Sequence, residues 1–210
     1  MTEQAATVVI VDDDPAVLKA LSRLLRSAGW QSATYDSPEA FLQAYDATQP
    51  GCLVLDVAMP GVDGLELQQR LMDSGCTLPI VFMTGHADVP MSVRAMRAGA
   101  LNFLSKPVPD DVLLAAVAEA VAKDRFARVA QADLGVVRAR LATLTPREHE
   151  VFNHVVAGKL NKQIAAVLGT VEKTVKVHRA HVMEKMGARS LAELARMAER
   201  LGIAGPGTGR

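Results

Sequence analysis

Four apolar runs in the first half of the chain each end on polar residues capable of chemistry. Val8-Val9-Ile10-Val11 leads into Asp12-Asp13-Asp14, and Cys52-Leu53-Val54-Leu55 into Asp56. Ile80-Val81-Phe82-Met83 leads into Thr84, and Leu101-Asn102-Phe103-Leu104 into Ser105-Lys106-Pro107. Continuous apolar runs of this length read as strands covered on both faces, which a parallel sheet requires. In an open parallel sheet, ligands bind outside the carboxyl ends of the strands. One crevice is therefore expected to gather three carboxylates, a hydroxyl and an ammonium. Carboxylates so close are unfavourable unless a cation sits among them. An oxygen-only donor set suits Mg2+, which keeps several waters beside one or two carboxylates. Lys106 and Thr84 then remain to hold an anion.

A carboxylate that attacks a phosphoryl group needs a metal to offset charge and donors for the equatorial oxygens. Asp56 is the natural nucleophile, since it ends the central run and precedes the turn Met59-Pro60-Gly61-Val62-Asp63-Gly64. Asp12 and Asp13 are expected to hold the ion. Lys106 would pair with phosphoryl oxygens as a point charge, and Thr84 would donate a hydrogen bond. Asp14 also suits a helix cap before Pro15. Capping alone leaves Asp56, Thr84 and Lys106 unexplained. Asp63 and Asp88 read as surface or capping carboxylates outside the chemistry.

The elements that position these residues follow from periodicity. Val17, Leu18, Leu21, Leu24, Leu25 and Ala28 form one broad helical face, closed by Gly29 where a helix ends with φ > 0. Trp30–Tyr35 alternates and reads as a weaker strand. Ser37-Pro38-Glu39 and Asp110-Asp111 are helix starts. Five strands alternating with five helices make a doubly wound α/β sheet, a (βα)5 unit. Lys123–Leu141 has no proline and continues the fifth helix through Leu113, Ala116, Val117, Ala120 and Val121. Gly135 is the place where that helix would break.

Composition narrows the function. The 210 residues are half apolar and 22% charged, as in a globular protein. Zero net charge hides an asymmetry. Residues 1–122 carry 7 Lys and Arg against 15 Asp and Glu, whereas residues 123–210 carry 16 against 8. The basic half is expected to meet a polyanion. No apolar run is long enough for a membrane span, and Met1–Thr7 lacks the regions of a signal peptide. Cys52 and Cys76 form neither a disulfide framework nor a metal spacing, which favours a reducing cytoplasm. No membrane association is expected.

In the second half, Thr145-Pro146-Arg147-Glu148 combines a capping box with proline at the first helical position. The helix that follows is expected to bury Val151, Val155 and Val156 and to stop near Gly158. Asn161–Leu168, the turn Gly169-Thr170-Val171 and a helix from Glu172 to Met186 describe a helix-turn-helix. Val175, Val182 and Met186 face inward. Five Lys and Arg against two Asp and Glu over Glu172–Arg189 suit a phosphate backbone. Val171 cannot cap this helix; either Thr170 does, or that end is weaker by roughly 1 kcal/mol. A last helix, Leu191 to about Gly202, follows the box Ser190-Leu191-Ala192-Glu193. Its stripe of Leu191, Leu194, Ala195, Ala198 and Leu201 suits partly its own domain and partly a two-fold dimer. His178 and His181 lack the partners of a zinc set, and Gly205-Pro206-Gly207-Thr208-Gly209 reads as a frayed tail.

Through VVIVDDDP, LVLDVAMPGVDG, IVFMTGHAD and AGALNFLSKPV, residues 7–121 resemble the receiver domain of two-component response regulators. Residues 141–203 resemble the LuxR/FixJ-type DNA-binding domain through LTPREHEV, NKQIAAVL, KTVKVHRAHVMEKMGARS and LAELARM. The order of the two resembles the NarL/FixJ group, closest to its FixJ-like members. The resemblance implies a receiver over 7–122, a helical connector over 123–140 and a DNA-binding domain over 141–204, with the helix-turn-helix at 161–180. It implies that Asp56 accepts a phosphoryl group from a sensor histidine kinase. Asp13, Asp56 and the Ala58 carbonyl would ligate Mg2+, with Asp12 acting through water. Thr84 and Phe103 match the switch pair, and Lys106-Pro107 matches a lysine followed by a cis peptide. Lys176, Val177 and Ala180 match base-facing positions, while Lys173, Thr174, His181 and Lys185 suit phosphate contacts on double-stranded DNA. Homodimerisation on phosphorylation is expected, through Met91–Ala98 and Asp111–Val121. Ala58 and His86 depart from common family choices and would flank the entrance for water, affecting phosphoryl lifetime. A Mg2+-dependent phosphohydrolase would place a second acid where Ala58 stands. A receiver used only as a constitutive docking module would not need the acceptor, hydroxyl and lysine together.

Overall fold

The computed structural model describes residues 6–85 and 89–203, so the readings at His86, Asp88, the first five residues and Gly205–Gly209 lie outside the described residues. The chain divides into two compact units, Met1–Arg128 and Val129–Arg210. In the first, β1 (Thr7–Val11), β2 (Gln31–Tyr35), β3 (Gly51–Asp56), β4 (Ile80–Thr84) and β5 (Asn102–Ser105) form one parallel sheet in the order β2-β1-β3-β4-β5. Helices α1 (Pro15–Ser27), α2 (Pro38–Ala44), α3 (Gly64–Asp73), α4 (Val89–Arg97) and α5 (Asp110–Leu141) alternate with the strands. The fold is the doubly wound α/β sheet.

Alternation along the strands builds a core on each face. Leu53 and Leu55 of β3 join Phe41, Leu67, Leu71 and Phe82 on one side. Cys52 and Val54 join Ile10, Leu25, Leu113, Val117 and Ala120 on the other. β3 and β4 are buried throughout, as their continuous apolar runs predict. β5 is not covered on both faces: it is half-buried or exposed along its length, because it forms the sheet edge. Asp14, Ser37 and Asp63 cap α1, α2 and α3 by accepting backbone N–H bonds from Ala16, Ala40 and Glu66. Gly29 follows α1 at φ 84°. The broad face expected of α1 is shallow, with Leu25 its only fully buried member.

The helix α5 runs unbroken through Gly135. The expected interruption is absent because one glycine costs about 1 kcal/mol relative to alanine, and the next turn is held by buried Val137. Further up the helix, Asp124 and Arg128 fasten α5 to the first unit. Asp124 is 1% exposed, and its Oδ2 accepts from Gly51 N (2.9 Å) and Arg128 Nε (2.7 Å). The Arg128 guanidinium donates onward to the carbonyls of Ala47, Thr48 and Gln49. One ion pair thus holds both the start of β3 and the loop before it.

In the second unit, α6 (Pro146–Val156), α7 (Asn161–Leu168), α8 (Glu172–Met186) and α9 (Leu191–Arg200) enclose Val151, Phe152, Ile164, Val175, Val182, Met186 and Leu194. Val156 is only half-buried, and Phe152 takes the central place. Thr145 and Glu148 form the reciprocal capping box of α6. Ser190 caps α9, but Glu193 accepts from Arg189 N, so that box is not reciprocal. Leu194 and Ala198 of α9 point inward, while Leu191 and Ala195 are exposed, and the helix ends at Arg200.

Glu148 does more than cap. It is buried, and its Oε2 accepts from Lys185 Nζ of α8 at 2.6 Å. This ammonium, followed by the Thr145 N–H, holds the Glu148 carboxyl down to about 2, against an ordinary value of 4.5. A depressed carboxyl pKa contributes stability above the unfolded value and loses it as pH falls toward the folded one. Acid titration of the full chain, followed by NMR of the α6 and α8 amides, is therefore expected to show destabilisation of the second unit between pH 4.5 and about 2. Glu148→Gln should flatten that slope. In the first unit, Arg128→Ala leaves Asp124 buried without its cation and should cost about 3 kcal/mol in urea unfolding.

Candidate phosphoryl-transfer site and nucleic-acid interface

The strand ends meet as the apolar runs require. Asp12 follows β1, Asp56 closes β3, Thr84 closes β4 and Lys106 follows β5. The Lys106 Nζ lies 2.6 Å from Asp12 Oδ2 and 2.6 Å from Asp56 Oδ1, bridging the two carboxylates. Asp56 Oδ2 accepts from the Ala58 N–H at 2.8 Å, and Asp12 Oδ1 accepts from Asp14 N at 3.0 Å. Asp12, Asp56 and Thr84 are buried, whereas Asp13 and Ala58 are exposed. The peptide between Lys106 and Pro107 is cis.

Burial raises the Asp56 carboxyl above its ordinary range, and the nearby Asp12 adds to this, while Lys106 and the Ala58 N–H oppose it. A more basic carboxylate is a stronger nucleophile. Burial works to lower the Lys106 ammonium, but its bonds to Asp12 and Asp56 prevail and raise it. The crevice therefore holds a fixed cation beside a carboxylate of enhanced basicity. Phe103 is half-buried on β5 and packs against Phe82 with ring centroids 5.9 Å apart.

The donors present are oxygens only: the carboxylates of Asp12, Asp13 and Asp56 and the Ala58 carbonyl. Among the described residues, no group of three or more His, Cys, Asp or Glu side chains is disposed to hold a metal. An oxygen-only donor set is of the kind Mg2+ takes, with several waters beside one or two carboxylates. Cys52, at the opposite end of β3 from Asp56, is buried, which pushes its thiol up to about 12.

On α8, Lys173, Lys176, Val177, Ala180 and His181 are exposed, and Thr174 is half-buried. Val175, Val182 and Met186 lie beneath them. Val171 occupies the N-cap without a side-chain hydrogen bond, so Thr170 does not take over the cap. Lys176 sits 3.5 Å from Glu172, but both are exposed, and such pairs are worth little. Lys185 differs from the other candidates. Its ammonium is engaged by Glu148 and, at 3.3 Å, by the Thr143 carbonyl. His181 Nδ1 approaches the same carboxylate at 3.5 Å.

Sequence reasoning did not foresee how many basic residues of this unit are internal braces. Arg147 donates to Leu168 O at the end of α7, Arg140 to Met186 O at the end of α8, and Arg179 to Asn161 Oδ1 at the start of α7. Cations suit helix C-termini, where carbonyls lack partners. Their partners lie 18 to 46 residues away, so no local spacing announces them.

Residues 8–118 match the response regulator receiver domain, and residues 142–198 match the bacterial regulatory proteins of the luxR family. The chain is 47% identical over 198 residues to nodulation protein W of Bradyrhizobium diazoefficiens, covering 94% of this chain and 87% of that protein. It is 43% identical over 196 residues to the transcriptional regulatory protein FixJ of the same organism, covering 93% and 96%. Its fold is similar to a low-resolution structure of the response regulator StyR, with a TM-score of 0.85 and 44% identity over 93% of this chain and 99% of that one. Full-length FixJ from B. japonicum gives a TM-score of 0.58 and 42% identity over 95% and 98%. With a receiver sheet whose strand ends meet at Lys106 and a luxR-type helical unit after it, the chain belongs to the FixJ-like response regulators, phosphorylation-dependent transcription regulators and not metabolic enzymes.

Proposed function

We propose that Asp56 is the phosphoryl acceptor of this regulator and that its phosphorylation promotes dimerisation and DNA binding. The observation that carries this reading is the Lys106 ammonium, held 2.6 Å from both Asp12 and Asp56. A sensor histidine kinase is the donor. An Asp56 oxygen attacks phosphorus as the P–N bond of a phosphohistidine breaks. The bonding pair stays on the ring nitrogen, and the histidine leaves as neutral imidazole when its other nitrogen carries a proton. Lys106 exchanges a carboxylate oxygen for a phosphoryl oxygen, and Thr84 donates to another. Asp12, Asp13, Asp56 and the Ala58 carbonyl would hold Mg2+, which offsets charge on the transferring group. Thr84 moving toward the phosphoryl group vacates space for the Phe103 ring.

The receiver spans 7–122, the connector 123–140 and the DNA-binding domain 141–204, with the helix-turn-helix at 161–180. Asp124 and Arg128 bind the connector's beginning to the start of β3, and Val137 and Arg140 bind its end to the DNA-binding helices. Exposed Val93, Met96 and Val112 supply apolar surface for pairing two receivers. Lys176, Val177 and Ala180 face bases, and Lys173, Thr174 and His181 face phosphates of double-stranded DNA. Lys185 serves α6–α8 packing through Glu148. Two half-sites engaged together raise avidity without a new base contact. The protein acts in the cytoplasm.

The deciding measurement is dimerisation and DNA affinity with and without beryllium fluoride and Mg2+, on wild type and Asp56→Asn. Wild type should dimerise and bind about 100-fold tighter, and Asp56→Asn should do neither. Equal binding by both proteins in both conditions would make the receiver a constitutive docking module. Lys173→Ala should weaken binding and reduce the slope of log affinity against log salt by about one. Lys185→Ala should leave that slope unchanged and lower the stability of the second unit.

A further inference from the structure

Gln68 is the polar member of the inward face of α3, whose other buried residues are Gly64, Leu67 and Leu71. It is 2% exposed. Its Nε2 donates to Ala95 O at 3.1 Å and to Ala98 O at 3.0 Å, so both amide hydrogens are spent on the C-terminal end of α4. Ala98 lies just beyond the last helical residue, Arg97, where carbonyls lack intrahelical partners. Ala95 O also accepts from Ala100 N at 3.1 Å. A buried amide is costly without such partners, so its place in an apolar face marks a use.

The rest of α4 is held mainly by Met91, which is half-buried against the core. Ala95 is its only buried residue, while Val89, Val93 and Met96 are exposed. The helix α3, by contrast, is seated on the strand end that carries Asp56. Gly64 N donates to Val57 O at 3.0 Å, and a Cβ at Gly64 would collide with the Asp56 carbonyl oxygen. Gly64 is therefore required by close approach. A chain of contacts runs from the backbone of Asp56 through α3 and Gln68 to the last turn of α4.

We infer that Gln68 is a positioning residue for the phosphorylation switch. It fixes the C-terminal turn of α4 in the frame of Asp56. Displacement at Thr84, the last residue of β4, is then expressed as a tilt of α4 about its last turn. That tilt re-presents the exposed face of Val89, Val93 and Met96. The inference rests on the proposed role of α4 in pairing receivers.

The test uses the full chain as wild type and as Gln68→Met, which keeps length and apolar packing but removes both donors. Acetyl phosphate should phosphorylate the two at rates within about twofold of each other. In Gln68→Met the amides of Ala98, Gly99 and Ala100 should exchange about tenfold faster, and most of the beryllium fluoride gain in DNA affinity should be lost. A merely structural residue would lower the urea midpoint without separating phosphorylation rate from that gain. Wild type alone gives a second readout, independent of how the variant folds. Its α4 amides should keep their protection at the C-terminal turn and change it at the N-terminal turns when beryllium fluoride and Mg2+ are added. A full gain in Gln68→Met, or an even change along wild-type α4, overturns the pivot and leaves the phospho-switch standing. No gain in wild type overturns both.

Discussion

The first unit is organised around the cost of putting Asp12 and Asp56 side by side in a buried crevice. Neither carboxylate has enough solvent to screen it, and each raises the energy of the other. Lys106 resolves the conflict by donating to both at 2.6 Å. The requirement propagates through the fold. The parallel sheet must bring β1, β3 and β5 into register at their carboxyl ends. The Ala58 N–H must face the second oxygen of Asp56, and a glycine at 64 must let α3 approach the strand end. The resulting site has a buried carboxylate whose basicity burial raises, beside an ammonium shared with a second carboxylate.

The second unit follows a different rule. Its fold is small, and much of its basic charge is spent on its own helix ends. Arg140, Arg147 and Arg179 satisfy groups at the termini of α7 and α8, and Lys185 neutralises buried Glu148. The N-terminus of α8, by contrast, has no side-chain cap. The basic surface that remains is narrower than the total charge suggests, and it includes exposed Lys173 and Lys176 of α8.

Helix α5 belongs to both units and shows how packing settles a local ambiguity. Its sequence contains a glycine that weakens helix propensity, yet the helix continues because Val137 is buried and Arg140 finds the Met186 carbonyl. At its other end a buried aspartate is tolerated because Arg128 and the Gly51 N–H meet it. Both outcomes depend on partners far away in sequence.

The sequence by itself determined the strand order's raw material, the helix caps at Asp14, Ser37, Thr145 and Ser190, and the acidic and basic groups at the strand ends. These are local properties: hydrophobic period, cap chemistry and the position of a charge after an apolar run. It also carried the family motifs that place Asp56 and the basic face of α8. Only the tertiary structure decided that β5 is a half-buried edge, that Lys106 bridges Asp12 and Asp56, that Lys185 turns inward to Glu148 and that Gln68 grips α4. Each of these is a pairing between segments distant in the chain. A side chain's type shows that it needs a partner, but only the packed chain determines which partner is within 3 Å.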